Sequence, residues 1–99
     1  MGKRKITILD RTVEEIASIA YYIESKGMPK TAKLFVADVF EFIETLNDER
    51  IIHKPCKYFL WQIHDYRCVN YKKKFVIAYL DNEEEIIICD FAAQKILKG

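Results

Sequence analysis

Ninety-nine residues, 51% apolar and 31% charged, describe one globular domain spanning 1–99 and exclude a disordered chain. Sixteen Lys and Arg against fifteen Asp and Glu leave a formal charge of +1. No global field therefore announces a nucleic-acid partner, and any basic footprint must be local.

The apolar runs are too short to span a bilayer, so no membrane is expected. The start, MGKRKITIL, carries basic residues with no long apolar region behind them, which predicts a cytoplasmic protein without a signal peptide. Cys56, Cys68 and Cys89 are odd in number and lack metal-ligand spacing. They are expected to be reduced thiols, with no metal and no cofactor. With three glycines there is no phosphate-cradling loop. No paired carboxylates stand out.

Lys5 to Leu9 is β-rich and predicts a first strand. Thr12-Val-Glu-Glu15 has the form of a capping box, in which the Thr12 hydroxyl takes the N3 amide proton and Glu15 reaches back. Val13, Ile16, Ala17, Ala20 and Ile23 follow at helical spacing, and Gly27 stands where a left-handed terminator is wanted. Pro29 opens a second helix, where its missing N–H costs nothing. Its stripe is Ala32, Phe35, Val36, Val39, Ile43 and Leu46, broadened by Leu34, Phe40 and Phe42, with Asn47-Asp48 at the end. The short link makes the two helices antiparallel neighbours.

Glu49 to Lys57 reads as a loop around Pro55, and Tyr58 to Ile63 as an extended aromatic segment. Three strands follow, near Tyr66–Tyr71, Lys74–Leu80 and Glu85–Phe91, joined by a tight turn at Lys72-Lys73 and a looser one over residues 81–84. Pairing Tyr71 with Lys74 and Leu80 with Glu85 puts Tyr66, Cys68, Phe75, Ile77, Tyr79, Ile86 and Ile88 on one face. Val69, Tyr71, Val76, Ala78, Leu80, Ile87, Cys89 and Phe91 take the other. Both faces are apolar. The helices cover one, and the second needs a lid from the chain's own tail, a second copy or a partner. A homodimer is one such arrangement. The fold class is α+β: an N-terminal strand, an antiparallel helical hairpin, then a small, mostly antiparallel sheet.

Five stretches carry a family resemblance. They are Ile16-Ala-Ser-Ile-Ala-Tyr-Tyr-Ile23, Pro29-Lys-Thr-Ala-Lys-Leu-Phe35, Tyr66-Arg67, Phe75-Val-Ile-Ala-Tyr79 and Glu85-Ile-Ile-Ile-Cys89. In this order they resemble the RelE/ParE superfamily of toxins from type II toxin–antitoxin (plasmid stabilisation) modules. Many members leave the last strand through a histidine and an arginine three residues on, where this chain has Phe91 and Gln94. Its tail has Lys95 and Lys98 but no Arg, His or Tyr, unlike the ribosome-dependent nucleases of the RelE branch. The resemblance therefore implies a ParE-like toxin that inhibits DNA gyrase by protein–protein binding and is neutralised by a cognate antitoxin protein. The alternatives it leaves are an mRNA endoribonuclease acting with the ribosome, and an inactive antitoxin-binding member.

The target-binding candidates that go with this resemblance are Arg67, Lys72, Lys73, Lys74, Gln94 and Lys95. A guanidinium clamps a carboxylate or phosphate in bidentate fashion, and the Lys72–Lys74 run forms a basic knob. The plainer readings are an edge ion pair for Arg67 and a solvated turn for the lysines. For RNA cleavage the candidate cations are Arg67, Lys74 and Lys95, with no evident base beside them. Asp90 reads as a cap for a short tail helix. His53 and His64 read as loop histidines.

Overall fold

The computed structural model describes residues 4–48, 53–82 and 84–97. In chain order these form β1 (Lys5–Ile8), α1 (Asp10–Ser25), α2 (Pro29–Glu44) with a 3-10 turn at Thr45–Asn47, and α3 (Phe59–Gln62). Then come β2 (Arg67–Tyr71), β3 (Phe75–Asp81), β4 (Glu85–Ala93) and α4 (Gln94–Leu97). The sheet order is β1-β4-β3-β2, antiparallel except that β1 runs parallel to β4. The helical hairpin lies on one face, so the architecture is the expected α+β arrangement.

Two boundary residues behave as their chemistry requires. Gly27 has φ +84°, a conformation open to glycine because it has no Cβ to clash, and its N–H closes on the Glu24 carbonyl at 2.9 Å. Pro29 is the first residue of α2. Thr12 does not cap. The helix already begins at Asp10, with Leu9 at the N-cap, and Thr12 is fully buried in its first turn. Its hydroxyl donates to the Ile88 carbonyl at 3.2 Å, tying α1 to β4. The inward face of α1 is Thr12, Ile16 and Ile19 rather than the Val13 side, because that is where β4 passes.

Tyr58 to Ile63 is not extended. A chain needs a neighbouring strand to satisfy extended backbone, and here Phe59–Gln62 instead closes its own helical turn, with Gln62 N–H on the Tyr58 carbonyl at 2.7 Å.

The pairing differs from the expected one in two places. Tyr71 pairs with Phe75, not Lys74. Because side chains alternate with period two, this one-residue slip moves Val69 and Tyr71 to the helix-facing side. The register between β3 and β4 shifts at Ala78/Tyr79, where Ala78 faces Asp90 but Tyr79 faces Ile88. Cys89 is the extra residue of this bulge. The bulge lets Ile86, Ile88 and Phe91 all join one core with Ile16, Val39, Ile43, Leu46, Tyr71, Ile77 and Tyr79.

The lid over the second face is the chain itself. Cys56, Trp61, Val76 and Ala78 form a second cluster, flanked by Tyr58, Tyr66, Cys68, Ala92 and Leu97. Residues 54–56 bond to the outer edge of β2, through Cys56 N–H to the Tyr66 carbonyl (2.9 Å) and Cys68 N–H to the Lys54 carbonyl (3.1 Å). Cys56 and Cys68 form a disulfide, which corrects the expectation of three reduced thiols. The pairing of 54–56 with β2, which the sequence does not reveal, is what brings the two together. Cys89 is a free, buried thiol, and burial pushes its pKa up. Asp90 caps no helix. It accepts from Trp61 Nε1 at 3.3 Å and from the Phe91 N–H at 2.9 Å, and lies 3.6 Å from Arg11.

Candidate functional site: a lysine-rimmed groove

The β2–β3 turn brings the basic run to one end of the helical hairpin. Lys72 and Lys73 both have positive φ, 51° and 61°, and the Lys74 N–H returns to the Tyr71 carbonyl at 3.2 Å. A turn with two left-handed central residues matches the twist of the strands it joins, and Asn-Gly is its usual sequence. Lysine at both positions is strained at about 1–3 kcal/mol per residue.

The end of β4 meets this turn. The Gln94 N–H donates to the Lys74 carbonyl at 2.8 Å, and the Gln94 amide donates to Asn70 Oδ1 at 3.1 Å. Between turn, tail and helices lies a groove of about 930 Å³. Its walls combine Ile19, Ile23, Phe35 and Phe75 with Lys72, Lys73, Lys74, Gln94 and Lys95. Lys72 is 3.3 Å from Asp38, and this hydrogen bond is the main reason its pKa is raised. Among the described residues Lys73, Lys74 and Lys95 make no ion pair.

Five of the six target-binding candidates therefore surround one cavity. Arg67 does not join them. It stands at the far end of β2, four residues from Tyr71 and so about 13 Å along the strand. There it donates to the His53 carbonyl at 3.1 Å and pairs across the sheet with Tyr79. The cation set Arg67, Lys74 and Lys95 is thus split between two ends of the sheet.

The Arg67 end holds a pair that sequence reasoning missed. His53 Nδ1 lies 2.6 Å from the Tyr79 hydroxyl. Burial lowers the His53 pKa and raises that of Tyr79, the latter with help from Asp81. Both shifts favour the neutral forms, so the contact is a hydrogen bond between an uncharged imidazole and an uncharged phenol. The partners are 26 residues apart, and no local pattern announces them. His64 instead stacks on Tyr66, with ring centroids 5.1 Å apart. Phe91 packs against Phe75, Phe35 and Tyr71 with centroids 5.2, 6.3 and 6.4 Å away, inside the core rather than at a site. Among the described residues no cluster of His, Cys, Asp or Glu is placed to hold a metal, and no helix is long and apolar enough to cross a membrane.

This combination, a helical hairpin on a four-stranded sheet with a basic apolar groove at one end, defines a small α+β protein. Residues 6–96 match the family described as ParE toxin of type II toxin-antitoxin system, parDE. The chain belongs to that family. A solved structure described as a chromosomal ParDE TA system from P. aeruginosa is similar in fold, with a TM-score of 0.77 at 14% identity over 92% of this chain and 96% of that one. A comparison with curated proteins finds no match.

Proposed function

We propose that this toxin-family chain acts by binding DNA gyrase through protein–protein contact, and that a cognate antitoxin neutralises it. What supports this beyond family membership is the groove: Lys72, Lys73, Lys74, Gln94 and Lys95 rim an apolar floor, the composition of a docking surface. These five are the proposed target-binding residues. Arg67, tied to the His53 carbonyl, is a positioning residue for the loop beside β2.

One observation favours the endoribonuclease as a second reading. His53, Tyr79 and Arg67 together contain an imidazole, a phenol and a cation. Against it, Tyr79 is 1% exposed and its hydroxyl is held by His53, so the group open to a substrate there is not the phenol. Pulse incorporation of labelled thymidine and methionine after controlled induction separates the two readings. Gyrase inhibition predicts that thymidine incorporation falls first. An early fall in methionine incorporation points to the nuclease.

A further inference from the structure

The outer edge of β2 is covered by a segment that holds on by few bonds. Residues 53–58 form neither helix nor strand, and they meet β2 in a single antiparallel bridge, Pro55 to Arg67. Only two backbone hydrogen bonds flank that bridge, Cys56 N–H to the Tyr66 carbonyl and Cys68 N–H to the Lys54 carbonyl. The covalent fastening is the Cys56–Cys68 disulfide, at the same place. This cover masks two polar groups. The His53 carbonyl accepts from the Arg67 guanidinium at 3.1 Å, and the His53 ring sits against the Tyr79 hydroxyl at 2.6 Å. Among the described residues Arg67 pairs with no acid. Its cation is held by a backbone carbonyl that belongs to the cover itself.

We propose that Cys56–Cys68 is a reversible latch: a dithiol reductant opens it, residues 53–56 leave the edge of β2, and Arg67 becomes free to bind a carboxylate of the protein target. This rests on the toxin reading above, because gyrase works inside the cell, where thiols are kept reduced and a disulfide is typically transient and redox-sensing. A thiolate of the reductant attacks one sulfur of the pair, forms a mixed disulfide and releases the other cysteine as a thiolate. The second thiol of the reductant then displaces the remaining cysteine. The reductant gives up two electrons and two protons and becomes a disulfide, and Cys56 and Cys68 each end as a thiol. Cys89 takes no part, because it is buried on β4 with β3 between it and β2. Neither bridged cysteine belongs to the core of Ile16, Val39, Ile77 and Phe91, so the hairpin stays on the sheet when the latch opens. The lysine groove, at the other end of β2, stays with it.

The test uses the full chain. Amide hydrogen exchange read by NMR compares the parent before and after an excess of dithiothreitol. The amides at positions 56 and 68 are expected to exchange at least about tenfold faster once reduced, while those of Ile77 and Ile88 stay protected and show that the sheet is still folded. Unchanged exchange at 56 and 68 overturns the latch. Lost protection at Ile77 and Ile88 also overturns it, because the bond then holds the whole fold rather than one segment. Plasmid supercoiling by gyrase, without reductant, then compares the disulfide-bonded parent with C56S/C68S, which has no latch. C56S/C68S is expected to inhibit at about tenfold lower concentration, the effect of one charge-assisted hydrogen bond gained. Adding Arg67→Gln should remove that gain. No gain, or a gain that survives Arg67→Gln, overturns the role given to Arg67. If neither form inhibits gyrase, the toxin reading fails and takes that role with it, while the exchange measurement still decides the latch.

Discussion

Phe91 lies among aromatic rings, and its surroundings predict a purely structural role. The ring is fully buried, and three aromatic rings lie with centroids within 6.4 Å. Phe91→Ala removes the transfer free energy of a whole phenyl group and leaves a cavity that Phe35, Tyr71 and Phe75 cannot all collapse into. The cost is expected at about 3–5 kcal/mol. Small domains are stable by about 5–15 kcal/mol, so the variant should be marginal. Phe91→Leu keeps most of the volume and should lose about 1–2 kcal/mol. Phe91→His places a polar ring among aromatic neighbours and should cost more than leucine. Urea unfolding followed by circular dichroism gives all three values. A loss below about 1 kcal/mol for alanine, or wild-type stability for histidine, would refute the placement of Phe91 in the core.

Two other perturbations follow from the structure. The Cys56–Cys68 bond closes a loop with a sequence separation of 12, which restricts the unfolded chain by about 3 kcal/mol. Dithiothreitol should lower the urea midpoint of the parent and leave a Cys56→Ser/Cys68→Ser double variant unmoved; a parent indifferent to reductant would contradict the bridge. The lowered pKa of His53 means the unfolded chain binds its proton more readily than the native one. Its contribution to stability is then complete above the ordinary value of 6.5 and is lost as pH falls from there through the folded pKa. Unfolding measured across pH 5–8 should show this loss in the parent and a smaller one in His53→Asn.

Apart from α3, which the sequence reads as extended, the element order was legible because periodicity, Gly27 and Pro29 are local signals. The α2 stripe, Ala32 through Leu46, is inward as read. What escaped depends on partners far away in sequence. Thr12 fits a capping box by spacing, but β4 lies close enough for Ile88 to take its hydroxyl. The slip that moves Tyr71 and the bulge at Cys89 are both single-residue events, and each reverses every side chain beyond it. The disulfide needs the pairing of residues 54–56 with β2, which no pattern in either segment encodes. Of the site, the lysine turn was legible as a basic run. Its meeting with Gln94 and Lys95 depends on β4 extending to Ala93, two residues past the expected end.

The central claim is that this chain acts on gyrase by binding. Its most direct test is the supercoiling of relaxed plasmid by purified gyrase, titrated with the purified chain in the presence of a labelled mRNA. The account predicts a dose-dependent loss of supercoiling with the RNA intact, and a weaker effect from the K73E/K74E/K95E variant. Undiminished supercoiling at saturating chain, with or without RNA cleavage, would contradict it.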